Sequence, residues 1–150
     1  MEYVKGLLIN PTRCHLTAIS DNCSFVNNQS FSHFLSQSPW DHRLLIDWII
    51  TNGWHLIGKN GALVIDECAT PKAGKFSVGV NRQYCGNLGK VENCQVGVFM
   101  AYVKNGFRLL LDYRLYLPES WTSDPGRCDA AGIPPEFQRF KTKAELAFEL

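Results

Sequence analysis

The sequence lacks the features of an exported or membrane-spanning protein. No apolar run approaches the roughly 20 residues that a membrane-spanning helix needs. The start of the chain, MEYVKGLLINPT, does not have the cationic segment, apolar core and small-residue cleavage site of a signal peptide. The net charge of its 150 residues is only +1, so any nucleic-acid contact must come from local clusters of cations. We expect a cytoplasmic protein with no membrane partner.

Closely spaced metal-ligand pairs are also absent. No C-x-x-C or H-x-x-x-H spacing occurs, so a structural zinc site is not expected. Without a secretory signal, an even number of cysteines is weak evidence for disulfides. We expect reduced, partly buried thiols at Cys14, Cys23, Cys68, Cys85, Cys94 and Cys128.

Residues 1–57 favour helix. Ser38 is a candidate N-cap with Pro39 at the first helical position, and apolar residues then recur at helical spacing until Gly53. A shorter helix is predicted around Phe31. The sequence therefore predicts an N-terminal helical region over residues 1–57.

The apolar pattern changes after Gly61. Residues 62–65 and 94–103 are continuous apolar runs, as expected for strands that are buried on both faces. Asp66 directly follows the first run. The sequence therefore predicts two buried strands, with Asp66 at the end of the first.

A hairpin is predicted after the second strand. Asn105 and Gly106 tolerate the two positive φ angles of a tight turn, and residues 107–117 then alternate between apolar and polar side chains. We expect one buried and one solvated face, with Asp112 in a charge ladder between two arginines. The result is an α+β chain whose second region, residues 58–150, begins with three antiparallel strands.

The last part of the sequence predicts a capped helix. Residues 118–141, rich in Pro, Gly and Asp, predict a long loop. Thr142 and Glu145 then form a capping box for a helix that begins near Lys143. Because this helix has a start signal and no stop signal, we expect that the chain is truncated.

Asp66 is the candidate metal ligand. A carboxylate at the end of a rigid strand suits Mg²⁺, which takes oxygen ligands and bridges carboxylates to phosphates. One aspartate cannot assemble a two-metal site, and Glu67 should point to the opposite face of the strand. On spacing alone, the alternative is an ordinary aspartate that caps the following turn.

A cationic segment follows Asp66. Residues 68–91 hold four cationic side chains and no acidic one, together with glycines that let the backbone approach a phosphate closely. A solvated loop or hairpin whose glycines serve turns is an alternative. The candidate DNA contacts are Lys72, Lys75, Arg82, Gln83, Tyr84 and Lys90.

Ordered motifs along the chain carry a family resemblance. They are SFSHFLSQSPWD from Ser30, IDECATPKAGKFSVGVNRQYCG from Ile65, GKVENCQ from Gly89 and RLYLPESW from Arg114. This set resembles bacterial insertion-sequence transposases of the DDE type, which are DDE superfamily endonucleases with a ribonuclease-H-like core. The resemblance implies that Asp66 is the first metal-binding aspartate, with Mg²⁺ or Mn²⁺ as cofactor, and that Lys72 and Arg82 contact DNA.

The resemblance also implies the activity and its limits. Complete members cut DNA and join the cut ends to a target in DNA transposition, with a second aspartate and a glutamate that this chain does not reach. We therefore expect a fragment that is inactive alone, with transposon ends and target DNA as partners. The alternative is a non-catalytic DNA-binding or oligomerising remnant that modulates intact transposase, and a third possibility is an inert, poorly soluble product.

Overall fold

The described part of the chain falls into two compact units. The computed structural model describes residues 2–9, 15–23, 26–39 and 41–150. By its contacts, the first unit covers Met1–His42 and the second covers Arg43–Leu150.

The first unit consists of short helices. They are α1 (Glu2–Ile9), α2 (Leu16–Asp21) and α3 (Asn28–Ser36). Ile19 and Phe31 are buried, and the ring of Tyr3 lies 5.8 Å from that of Phe31. Asn27 caps α3, because its side chain accepts a hydrogen bond from the Ser30 N–H at 2.8 Å. The helix predicted around Phe31 is therefore confirmed.

The fourth helix, α4 (His42–Ile57), begins later than predicted. The sequence placed Ser38 at its N-cap and Pro39 at its first position. The N–H of Ser38 instead donates to the His33 carbonyl at 3.2 Å, which ties Ser38 to the end of α3. The prediction of the helix was right, and the prediction of its start was wrong.

The same helix also ends later than predicted. It passes through Gly53, where an added Cβ would lie 2.7 Å from Leu109 Cδ1. Its last residue is Ile57, and the next residue, Gly58, has a φ of +73°. Trp54 packs on Tyr102 of the sheet, with ring centroids 4.8 Å apart. By these contacts α4 groups with the sheet, whereas the sequence grouped it with the earlier helices.

The second unit contains a four-stranded antiparallel sheet. Its strands are β1 (Ala62–Pro71), β2 (Asn81–Cys85), β3 (Lys90–Lys104) and β4 (Phe107–Leu115). The long strand β3 pairs with each of the other three. The α+β class is confirmed, as is the order of helices followed by an antiparallel sheet. Strand β2 adds to the three predicted strands.

Strand β1 is exposed, contrary to the buried strand predicted from its apolar run. Ala69 is its only buried residue, while Leu63, Val64 and Ile65 are 64%, 44% and 45% exposed. Among the described residues, β1 pairs with β3 alone. By contrast β3 is buried along its centre, as predicted.

The β3–β4 hairpin has the predicted turn and an irregularity that was not predicted. Asn105 and Gly106 adopt φ angles of 49° and 83°, as the Asn-Gly pair indicates. The register shifts between Met100 and Ala101, which leaves Leu111 as the extra residue of a β-bulge. The strict alternation predicted for this strand is therefore wrong.

Residues 118–141 form short helices rather than the predicted loop. They contain α5 (Glu119–Thr122), α6 (Pro125–Ala130) and a 3₁₀ turn at Pro135–Phe137. Each element is too short to show a helical period in the sequence. The side chain of Asp124 accepts from the Arg127 N–H at 2.9 Å and caps α6.

The last helix, α7 (Lys143–Phe148), begins where the capping box predicts. Glu145 Oε2 accepts from the Thr142 N–H at 2.7 Å, and Thr142 Oγ1 accepts from the Glu145 N–H at 3.2 Å. None of the described helices is long and apolar enough to cross a membrane.

The described cysteines are free thiols, in agreement with the sequence analysis. Cys85, Cys94 and Cys128 are buried, and burial raises the pKa of Cys94 and of Cys128 above the ordinary thiol value. Cys14 lies outside the described residues.

Candidate active site and nucleic-acid interface

Asp66 lies in the middle of β1 rather than at its end. The strand continues to Pro71, because residues 66–71 pair with residues 99–94 of β3. The Asp66 side chain is exposed, and its Oδ1 accepts the Glu67 N–H at 2.8 Å. Both the strand-end position and the turn-capping alternative are therefore wrong.

Asp66 differs from the other candidate carboxylates because no cation in the described part of the chain pairs with it. Glu67 forms an ion pair with Lys143 of α7. Asp112 forms ion pairs with two arginines. Glu67 also points to the opposite face from Asp66, as successive residues of a strand do. Of these three candidates, Asp66 is thus the one whose charge no described cation compensates.

Asp66 alone does not make a metal site. Mg²⁺ takes about six oxygen ligands, and catalytic Mg²⁺ is commonly held by more than one carboxylate. Within the described ranges, no group of three His, Cys, Asp or Glu side chains is placed to hold a metal ion. These residues therefore do not fit Mg²⁺ or Mn²⁺ without further ligands.

An ion pair between Asp112 of β4 and Arg43 of α4 links the strand to the helix. The Asp112 side chain is 19% exposed and accepts from Arg43 and from Arg114 Nη1, the latter at 2.7 Å. Burial pushes the pKa of Asp112 upwards, but hydrogen bonds from Arg43, the Tyr113 N–H and Arg114 outweigh this and hold the pKa below its usual value. Of the two arginines in the predicted ladder, Arg114 pairs with Asp112, whereas Arg108 forms no ion pair with a described residue. Arg43 of α4 is an additional partner.

Replacing Asp112 by asparagine should make the free energy of unfolding less dependent on pH in the acidic range. Because the folded pKa is lowered, the stability from Asp112 is full above its ordinary pKa of 3.8 and is lost as the pH falls through the folded pKa. We expect Asp112→Asn to lower the free energy of unfolding by about 1.5–3 kcal/mol at pH 7. Urea unfolding at pH 7 and at pH about 3 measures this difference, which should shrink at the lower pH.

The matched control is Glu119→Gln, because Glu119 is exposed and forms no ion pair among the described residues. It should change stability by less than about 0.5 kcal/mol at either pH. Equal losses for Asp112→Asn at both pH values would show that the ionised carboxylate is not what stabilises the fold.

The first candidate DNA contacts lie in the loop of residues 72–80, which connects β1 to β2. Asn93 of β3 fixes the start of this loop. Its Nδ2 donates to the Lys72 carbonyl at 2.6 Å and to the Gly74 carbonyl at 2.9 Å, and its backbone carbonyl accepts from the Lys72 N–H at 2.9 Å. Asn93 thus holds both the first and the last residue of the segment 72–74 by hydrogen bonds to their carbonyls.

Other side chains fix the rest of the 72–80 loop. Gln95 Nε2 donates to the Val78 carbonyl at 2.7 Å, and Trp121 Nε1 donates to the Val80 carbonyl at 2.9 Å. Arg127 Nη2 donates to the Lys75 carbonyl at 2.9 Å. Val80 is buried with Trp121 and Cys128. The loop is therefore preorganised by its carbonyl contacts although it has no regular structure.

Three of the candidate cations have no close carboxylate partner. Lys72, Lys75 and Arg82 form no ion pair with any described residue. Lys90 differs, because its Nζ lies 3.1 Å from Glu92 Oε2. The hydrogen bond from the Asn93 N–H, and then Lys90, hold the pKa of Glu92 below its usual value. Arg82 also lies near enough to Glu92 to help lower the pKa of that carboxyl.

The candidate contacts on β2 divide between its two faces. Arg82 and Tyr84 are exposed, and Tyr84 is 57% exposed. Gln83 points the other way, where it is half-buried and its Nε2 donates to the Cys94 carbonyl at 3.0 Å. The Gln83 amide is therefore used inside the β2–β3 hairpin.

The loop and the exposed face of β2 form one surface. Arg82 lies directly opposite Asn93 in the β2–β3 pairing, so their Cβ atoms are about 5 Å apart on the same face. Asn93 also holds the Lys72 and Gly74 carbonyls. We call this the cationic surface, and its members are Lys72, Lys75, Arg82 and Tyr84.

Sequence reasoning missed the residues that position this surface. Asn93 and Gln95 did carry a signal, since they are polar residues at the start of an apolar central strand. Trp121 also occurs in one of the family motifs. Arg127 carried no signal, because its carbonyl partner Lys75 lies far away along the chain.

Comparisons with known proteins show the family of the chain. The family described as DDE superfamily endonuclease matches residues 2–150. The chain is also 32% identical over 147 residues to the probable transposase for insertion sequence element IS701 of Microchaete diplosiphon. The match covers 95% of the chain and 34% of that relative, so the chain spans about a third of the relative's length. No solved structure matches significantly. The chain belongs to the DDE superfamily endonucleases.

Proposed function

We propose that this chain supplies the first metal-binding aspartate and a DNA-binding surface of an insertion-sequence transposase. The family match and the relative named as a probable transposase support this assignment. In the complete enzyme, the substrate is transposon and target DNA, and the reaction is metal-dependent cleavage followed by strand transfer. A divalent metal supplies electrostatic stabilisation of the phosphodiester oxygens in such reactions.

The observation that carries the proposal is the contrast between Asp66 and its neighbours. Glu67 and Asp112 are compensated by fixed cations, while Asp66 is exposed and has no such partner among the described residues. A carboxylate without a paired cation keeps its negative charge available for a metal ion. We assign Asp66 as a metal ligand and assign no catalytic role to Glu67 or Asp112.

The cationic surface supports the DNA-binding half of the proposal. Phosphate contacts need accessible cations that are not already neutralised. Lys75 and Arg82 are exposed and Lys72 is half-buried, and none of the three forms an ion pair with a described residue. The loop that carries the lysines is held by other side chains, so little conformational entropy is lost on binding. With a single candidate ligand, we propose that these 150 residues bind DNA without cutting it.

A second function is association with another copy of the chain. Leu63, Val64 and Ile65 of β1 are exposed, and the described part of the chain pairs one edge of this strand only. Exposed apolar edge strands are templates for pairing with another chain. A module of this kind would modulate an intact transposase by mixed assembly.

Duplex binding and cleavage by the purified chain test the assignment. We expect salt-dependent binding and no Mg²⁺-dependent cleavage by the wild type. Arg82→Ala should weaken duplex binding and reduce the slope of log K against log salt by about 0.9, since one phosphate contact is lost. Asp66→Asn should leave metal-free binding within about twofold, because a metal ligand is not a phosphate contact.

The matched control for Arg82 is Arg108→Ala, since Arg108 is an exposed arginine on β4 without an ion pair among the described residues. It should leave the salt slope unchanged. Cleavage that is lost in Asp66→Asn would contradict the single-ligand argument. Absence of duplex binding would contradict the proposed DNA-binding function itself. Sedimentation of the same samples measures self-association, the second proposed function.

A further inference from the structure

We propose that Phe76 is a base-stacking residue, which the 72–80 loop presents to an unpaired nucleobase of DNA bound on the cationic surface. This inference rests on the proposed DNA-binding function and adds the kind of DNA that is preferred. Phe76 is not among the residues that the sequence analysis singled out.

Phe76 is far more exposed than the other apolar side chains of the 72–80 loop that pack against the core. Its side chain is 89% exposed, whereas Val80 in the same loop is 3% exposed. Val78 also packs against the buried cluster around Trp121. A phenyl ring that remains in water contributes no burial energy to the fold. The loop thus buries Val80, partly buries Val78 and leaves its one aromatic ring in water.

The backbone on both sides of Phe76 is held in place. The Lys75 carbonyl accepts from Arg127 Nη2 at 2.9 Å, and the Ser77 carbonyl accepts from the Val80 N–H at 3.0 Å. Arg127 is itself fixed, because its guanidinium carbon lies 3.7 Å from the centroid of the Trp121 ring. The exposed ring is therefore carried by an ordered backbone, which lowers the entropy lost when a ligand binds.

The charges around Phe76 fit a polyanion. Lys75 precedes it directly, Lys72 lies in the same loop, and neither lysine has an ion-pair partner among the described residues. The sequence carries no acidic residue from position 68 to position 91. An apolar protein partner would not need this charge, whereas a nucleotide combines a flat apolar face with a phosphate. The surface therefore fits nucleic acid better than an apolar protein surface.

The DNA must offer a free base face for this contact. In a paired duplex the bases stack on one another, so an aromatic side chain has access only where a base is unpaired or at a strand end. Stacking of one base on an aromatic side chain is worth about 1–3 kcal/mol. The stacking contact thus predicts a preference for DNA with unpaired bases, which is independent of base identity.

The test compares two DNA ligands with the 150-residue chain. One is a fully paired duplex, and the other is the same duplex with a short unpaired segment that contains 2-aminopurine. We expect the wild type to bind the unpaired segment more tightly and to quench its fluorescence. Phe76→Ala should weaken that binding by about 5-fold to 150-fold and leave duplex binding within about twofold. Phe76→Trp should retain both the preference and the quenching.

Phe76→Leu is the control for apolar contact without stacking, and it should behave like Phe76→Ala. Because Phe76 is exposed, none of these variants removes a packed side chain, and a common unfolding midpoint confirms this.

Equal preference and quenching in the wild type and Phe76→Ala would overturn the inference while leaving DNA binding intact. No binding to either ligand would overturn the proposed function as well. Loss of self-association in Phe76→Ala, with unchanged DNA preference, would assign the ring to a protein contact and also overturn the inference.

Discussion

Replacing Trp121 by alanine is expected to lower the free energy of unfolding by about 3–5 kcal/mol. Trp121 is 1% exposed and is packed with Val80 and Cys128. Its Nε1 also donates to the Val80 carbonyl at 2.9 Å, and its ring supports Arg127. Alanine leaves a cavity and a buried carbonyl without its donor. Urea unfolding followed by far-ultraviolet circular dichroism measures the loss.

Two further variants separate the causes of this loss. Trp121→Phe keeps an aromatic ring beneath Arg127 but removes the N–H, so it should cost about 1–3 kcal/mol. Trp48→Ala removes a tryptophan that is 64% exposed, and it should cost less than about 1 kcal/mol. If Trp121→Ala were no more costly than Trp48→Ala, the cluster around Trp121 would not be part of the stable core.

Local sequence signals predicted those features that neighbouring residues determine. The capping box of Thr142 and Glu145 and the turn at Asn105 and Gly106 are confirmed, because each depends on side chains within a few residues. The long apolar run of β3 also predicted a central strand. In such cases the sequence contains the whole cause of the local structure.

Features that depend on distant contacts were not predictable in this way. The apolar run of β1 indicates a strand, but it does not reveal that Leu63 and Ile65 are exposed. Arg43 with Asp112 and Arg127 with Lys75 join residues that are far apart along the chain. Helix α4 continues through Gly53, where Leu109 of β4 packs so closely that a side chain at this position would clash with it.

In the candidate site, too, the sequence indicated individual residues and the fold determined how they are placed together. The resemblance selected Asp66 from the sequence, and its role as a metal ligand stays a prediction. The roles of Lys72, Lys75, Arg82 and Tyr84 in DNA binding also stay predictions. What the fold adds is their placement, since the loop and β2 meet at a single strand residue, Asn93. Neither the spacing nor the charge of the segment revealed that contact.

Replacing Gly79 by alanine is the second change with a large expected effect. Gly79 has φ +74°, which costs a residue with a side chain about 1–2 kcal/mol. Its added Cβ would also lie 2.7 Å from the Tyr116 carbonyl oxygen, a backbone atom that cannot rotate away. We expect Gly79→Ala to lower the free energy of unfolding by about 2–4 kcal/mol, which is the positive-φ cost plus this steric clash, and to weaken duplex binding by moving the lysines of the loop.

Gly74 provides a matched control within the same loop. An added Cβ at Gly74 would meet no atom within 4 Å, and its φ is not positive. Gly74→Ala should therefore leave stability unchanged or raise it by about 0.5 kcal/mol, because alanine reduces the freedom of the unfolded chain. Urea unfolding and duplex binding are measured for both variants. If Gly74→Ala destabilised the chain as much as Gly79→Ala, the loop would be sensitive to any side chain, and the clash at Tyr116 would not be the cause.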